Sequence, residues 1–427
     1  MNMVPAVGGE RLVPAPDEIA RDYLLLALRL DQWIPGLVDG YYGPADLKAD
    51  VDLESRPAPA RLREDAVSLR ARVEAQVDEP ARRRWLVAQL IALEAQAGAL
   101  AGDPLPYEEH VARCFEFRPR RRPEAEFAAA ATALDALLPG SGPIDERLAA
   151  WDARFIVPSD TLPAVADHLV ALFRDRARGL FGLPDGEALR VSFVKDQPWS
   201  GYNWYDGGLR SRVDLNTDVP IRLFGLVHTV AHETYPGHHL EHAWKEADQV
   251  LEHGRLEASV LLINTPECFL SEGLADLGHR FAVPPADEAD LLAELYTLAG
   301  LPVSLDAGAA RDAAAATVAM APFRATLGAC AVNAALMRHA DGASHDEVLA
   351  YLRETGLMEA DRAAQRLSFI EHPLWRTYVF VYSEGEALLR RWREASSPDA
   401  QPARFGRLLH ETLTPGAIEE ELAAIAG

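Results

Sequence analysis

Residues 226–242 read LVHTVAHETYPGHHLEH. The stretch starts as an apolar helix, carries His232 and Glu233 in tandem, and meets Pro236-Gly237 before two further histidines, His238 and His239. In H-E-x-x-H the two histidines lie about 40° apart around a helix and roughly 6 Å apart along it, so both reach one metal ion. The glutamate beside the first then faces the activated water as general base. Here a continuous helix would put His238 about 240° round and roughly 9 Å along from His232, and His239 on the same face but about 10.5 Å away. Pro236 has no N–H to donate to the carbonyl of His232, and Gly237 allows backbone angles closed to other residues. Together they can interrupt the helix and return a later histidine, His238 or His239, to the ion. His228 and His232 have i, i+4 spacing, but His228 precedes the glutamate and is expected to be structural.

A catalytic zinc takes three protein ligands and keeps one open position. Downstream, ECFLSEGLADLGHRF (267–281) sets Glu272 and Asp276 one helical turn apart on one face. One carboxylate can bind the metal while the other accepts a hydrogen bond from a ligand histidine. The forty residues from His232 to Glu272 let their two helices meet side by side.

These residues carry a resemblance. HETYPGHHLEH followed by SEGLADL is similar to the domain of unknown function 885 family, whose hallmark is H-E-x-x-P-G-H-H. VDGYYGP (38–44) and TYVFVYSEGEALLRR (377–391) resemble its outer blocks. The family is similar in turn to gluzincin metallopeptidases, helical zinc enzymes. A group of dipeptidyl peptidases also carries a lengthened H-E-x-x-G-H. The resemblance implies zinc held by His232, His238 and Glu272, with Glu233 as base and Asp276 holding a ligand histidine. His239 is the alternative ligand or a supporting residue. Tyr382, in the block resembling the family's Tyr-x-x-Gly, is placed to hydrogen-bond an oxyanion. Where the family commonly has glutamine after GHHL, this chain has Glu241.

Outward from the motif the pattern is helical. DEIARDYLLLALRLDQWI (17–34), PARRRWLVAQLIALEAQAGALAG (80–102) and the Ala-rich run through 308–340 show helical spacing or helix-end asymmetry. SHDEVLAYLRETG offers Ser344 and Glu347 as a capping box and Gly356 as the C-terminal cap. Only 188–220 reads as strand, with a hairpin at Asp206–Gly208. The expected fold is mainly α, a large multi-helix metallopeptidase-like body with a small antiparallel sheet before the active-site helix. The expected division is an N-terminal helical subdomain over 1–150 and a catalytic domain over 151–427. Strand 209–216 is expected to be an edge that aligns an extended peptide, with Asn216 as a substrate-binding residue.

Forty-two basic against 65 acidic residues give a net charge of −23, which disfavours nucleic acid or anionic membrane as partners. The start shows no export signal, and no apolar run is judged to approach the roughly 20 residues of a membrane helix. Three scattered cysteines read as reduced thiols, and the cytoplasm is the expected compartment. No G-x-S-x-G, phosphate-binding or dinucleotide motif occurs. The chemistry expected is therefore zinc-dependent hydrolysis of small peptides or amides.

Overall fold

The structure, a computed structural model, describes residues 3–7, 11–197 and 199–426. Helices dominate, as the sequence predicts. Asp17 accepts a hydrogen bond from the Ala20 N–H and starts the helix Glu18–Asp31. Pro80 opens Pro80–Leu100, and Thr161 and Gly182 flank Leu162–Phe181. The Ser344–Glu347 capping box is formed at the head of His345–Glu354. That helix ends one residue earlier than predicted, with Thr355 as its cap instead of Gly356, and the left-handed conformation falls on Leu357.

The Ala-rich run folds as Ala307–Gly328 and Cys330–His339. Here one sequence expectation is corrected: by length and composition, 307–339 is long and apolar enough to cross a membrane. Alanine is mildly apolar, so an alanine-rich run passes that test without any cluster of large side chains. The first of its two helices packs against Glu124–Leu137 and Glu288–Leu298, with Ala310, Ala313, Ala314 and Met320 buried.

Among the described residues, buried apolar side chains fall into two clusters. One joins residues 6–97 to Tyr205, Ala243, Val250 and the segment 256–262, and the other runs from Tyr107 to Ile418. Phe115, Phe127, Leu134 and Trp151 belong to the second cluster, so the apolar packing divides near residue 100. The first cluster is tied to the middle of the chain by strand pairing, since Val38–Tyr41 lies antiparallel to Val260–Leu262.

The sheet before the motif has three strands, Ala188–Val194, Gly201–Tyr205 and Arg210–Asn216. The last two form the antiparallel hairpin turning through Asp206–Gly208, and Ala188–Val194 adds in parallel on the other side of Arg210–Asn216. The strand expected at the edge is therefore the middle one. Alternation identifies a strand but not how many neighbours it pairs with. The edge nearest the motif is Gly201–Tyr205, where the Asn203 side-chain amide donates to the backbone carbonyl of Glu233 at 2.7 Å.

Candidate metal centre

Leu223, Leu226, Val227, Val230 and Ala231 bury one face of the helix Leu223–Glu233, and His232 and Glu233 end it. The chain then leaves helical geometry at Thr234 (φ −118°, ψ −95°) and resumes it only at His238, the first residue of His238–Lys245. The interruption is closed by its own bonds: Gly237 N–H donates to the Ala231 carbonyl at 3.2 Å, and the Thr234 hydroxyl to the Val230 carbonyl at 2.6 Å. Only glycine fits at 237, because a Cβ there would stand 1.8 Å from the His232 carbonyl oxygen. The Pro-Gly thus restarts the helix on a new axis instead of lengthening it.

The restart brings two imidazole nitrogens and a carboxylate together. His232 Nε2 and His238 Nε2 are 3.1 Å apart, His238 Nε2 and Glu272 Oε1 3.3 Å, and His232 Nε2 and Glu272 Oε2 3.5 Å. A tetrahedral ion with bonds of about 2.0–2.1 Å separates its ligand atoms by about 3.3–3.4 Å. The observed separations lie close to that spacing, so these three residues could hold a zinc-sized ion. The three residues are buried but keep 8–9% of their surface accessible, as a site with an open position must. A second group, His238, Glu241 and His242, is also compact, but the Lys245 ammonium lies 2.7 Å from Glu241 and already compensates its charge.

Surrounding groups orient the ligands. Asp276 Oδ1 lies 2.9 Å from His232 Nδ1, which holds the Nδ1 proton and leaves the Nε2 lone pair facing the triangle. His238 Nδ1 faces Ser271 Oγ at 3.3 Å and Glu241 Oε2 at 3.7 Å. Ser271 in turn donates to Glu241 at 2.5 Å, so the two together steady the His238 ring. His228 Nε2 also reaches Asp276, at 3.3 Å, and stays outside the triangle as expected.

Burial disfavours charge on the imidazoles, yet neighbouring carboxylates overcome it. His232 is pushed well up by hydrogen bonds to Asp276 and Glu272, and His238 up to about 10 by Glu272 and Glu241. Burial likewise opposes ionisation of Asp276, but His228 and His232 bring it down to about 2. Both imidazole shifts favour positive charge between these side chains, the condition under which metal binding releases protons. Glu233 behaves differently: burial raises its pKa against the pull of His232 and His238. A raised carboxylate pKa is what a general base needs if it is to give its proton back.

Of the two places expected for His239, the structure has the supporting one. His239 is fully buried and turned to the sheet, with Nδ1 2.8 Å from Ser211 Oγ and Nε2 2.9 Å from Glu187 Oε2. With both ring nitrogens engaged, it supports the motif and is no ligand. Glu187 is held further by Arg174 and by the hydroxyl of Tyr235. Asn216 is corrected: its amide donates to the carbonyls of Gln197 and Trp199 at 2.8 and 3.0 Å, so it pins a loop in place of aligning a peptide.

Tyr382 lies on Val379–Glu394, half-buried, with Glu272, Asp276 and Glu233 close enough to add to burial in raising its pKa. The residue that sequence reasoning missed is Tyr378, whose hydroxyl donates to Glu272 Oε1 at 2.6 Å. The two tyrosine rings are 5.5 Å apart, one helical turn from each other. They reach the site because two helices touch at glycines: a Cβ on Gly273 would meet the Gly385 carbonyl carbon at 2.5 Å. The i, i+4 spacing of Tyr378 and Tyr382 was the available signal.

No family model matches the chain, and no curated protein does. Among solved structures it resembles a protein of Colwellia psychrerythraea described as a "putative lipoprotein", with a TM-score of 0.52 and 15% identity over 85% of this chain. That match covers 66% of the other chain, just under two thirds of its length. A Shewanella oneidensis protein described as a "putative lipoprotein of unknown function" aligns at a TM-score of 0.44 and 12% identity, covering 95% of this chain and 73% of that one. The first likeness is one of fold alone.

Proposed function

We propose that the protein is a zinc-dependent, peptidase-like hydrolase acting on short peptides or small amides. The observation that carries this reading is the triangle of His232, His238 and Glu272 with Glu233 next in the chain to a ligand. Zinc storage has no use for a base at that position. Bound there, zinc would supply Lewis acidity that activates water and polarises a carbonyl.

The remaining work falls to side chains. Glu233 takes the proton of the attacking water and returns it to the leaving nitrogen. Asp276 fixes the His232 ring by its far nitrogen, and Tyr378 fixes the Glu272 carboxylate through Oε1. Tyr382 donates toward the oxyanion as it forms. An extended substrate runs along the edge strand Gly201–Tyr205, which has one side paired and is tied to Glu233 by Asn203. The net charge of −23 directs the choice of substrate toward small molecules and away from polyanions.

A hydrolysis screen of short peptides and simple amides, run on zinc-reconstituted wild type and Glu233→Gln, tests the reading. Cleavage by wild type alone, with equal zinc in both, supports it. Equal cleavage by both proteins removes Glu233 from its role.

A further inference from the structure

The segment VDGYYGP has no part in the mechanism above, yet it comes to the mouth of the site. Strand Val38–Tyr41 pairs with Val260–Leu262 in a register that slips between Val38 and Gly40, which makes Asp39 the extra residue of a bulge. A bulge takes a side chain out of the pleat's alternation and re-aims it. Asp39 is aimed at Tyr202 on the free edge strand, and the Tyr202 hydroxyl donates to its carboxylate. Tyr202 is itself held between aromatic neighbours, with its ring 5.4 Å from that of Trp199 and 4.4 Å from that of Trp204.

Asp39 is open to solvent by area, yet the protein around it is close enough to oppose its ionisation. It reaches the site through the strand that holds Tyr202: a Cβ on the adjacent Gly201 would stand 3.4 Å from the Glu233 side chain. Burial and the carboxylates of Glu272 and Glu233 push its pKa up to about 6, against the Tyr202 hydrogen bond. Among the described residues no Lys or Arg forms an ion pair with it. A carboxylate placed there, beside other carboxylates and without a cationic partner, is stabilised by a cation that arrives with the substrate.

We propose that Asp39, held by Tyr202, binds the protonated α-amine of the substrate, so that the site takes peptides by their free N-terminus and cleaves near that end. This rests on the zinc-hydrolase reading and adds a substrate class to it.

The test uses two ligands, leucine hydroxamate and N-acetyl-leucine hydroxamate, titrated calorimetrically into the zinc-loaded protein. The pair shares a metal-binding group and differs in the charged amine. Wild type is expected to bind the free amine at least about tenfold more tightly, and Asp39→Asn to bring that ratio close to one. Tyr202→Phe, which keeps the carboxylate and removes its support, is expected to narrow the ratio several-fold and covers any failure of the first variant to fold. A ratio near one in wild type, or an unchanged ratio in Asp39→Asn, overturns the amine site and leaves the zinc reading standing. A folded protein that takes up no zinc overturns both.

Discussion

The Nε2 atoms of His232 and His238 stand 3.1 Å apart although the residues are six positions apart in sequence. A continuous helix would hold such residues about 9 Å apart along its axis and on different faces. The contact exists because the helix stops at Glu233 and starts again at His238. The difference between separated histidines and a compact pair therefore resides in the segment Thr234–Gly237.

Gly237→Ala should destroy that arrangement. The added Cβ would overlap the His232 carbonyl oxygen at 1.8 Å, a backbone atom that cannot rotate away. We expect destabilisation on the order of 3 kcal/mol or more and loss of high-affinity zinc binding together. Thermal unfolding and a zinc titration read the two effects. An alanine variant with wild-type melting and zinc affinity would contradict the geometry of the break.

The two tyrosines should separate in their effects. Tyr378→Phe deletes the 2.6 Å bond to Glu272 and should weaken zinc binding about tenfold or more, the usual cost of losing a group that orients a ligand. Tyr382→Phe should leave zinc affinity near that of wild type and lower kcat by about ten- to a hundredfold. Competition with a chelator and steady-state kinetics measure these. The reverse pattern would exchange the two roles.

Acid stability should depend on Glu187. Burial alone would raise its pKa, but hydrogen bonds from His239 and Tyr235, with Arg174, lower it from 4.5 to about 2. A folded pKa below the unfolded one gives stability that is fully present above about 4.5 and is lost as pH falls toward 2. At neutral pH the proton-linked contribution amounts to up to roughly 3 kcal/mol. Denaturant unfolding of metal-free wild type and Glu187→Gln between pH 2 and 7 should show the gap between them closing in acid. A gap that stays constant over that range would mean that Glu187 is not the titrating group.

How far the sequence foretold this site depends on which physical signal each residue leaves. Glu272 and Asp276 were legible because helical spacing alone puts them on one face, and the structure gives them the triangle and the His232 ring respectively. The Pro-Gly announced a break, but the choice between His238 and His239 rests on which way the new helix turns. That direction is set by Ser211 and Glu187, dozens of residues upstream, which capture His239. The place of Arg210–Asn216 in the middle of its sheet depends on a parallel partner, Ala188–Val194, that no local alternation specifies. Tyr378 sits in the apolar run YVFVY, which reads as core until the Gly273–Gly385 contact brings its helix against Glu272. Asp39 owes its direction to a bulge, a feature of pairing register and not of composition.

The central claim is that the stretched motif is a metal site with His238 as its second histidine. Elemental analysis of wild type, His238→Ala and His239→Ala, purified without chelator and dialysed against zinc, tests it most directly. Close to one zinc per chain is expected in wild type and in His239→Ala, the latter with a lowered melting temperature, and little or none in His238→Ala. Loss of zinc from His239→Ala with retention in His238→Ala, or no zinc in any of the three, would contradict the account.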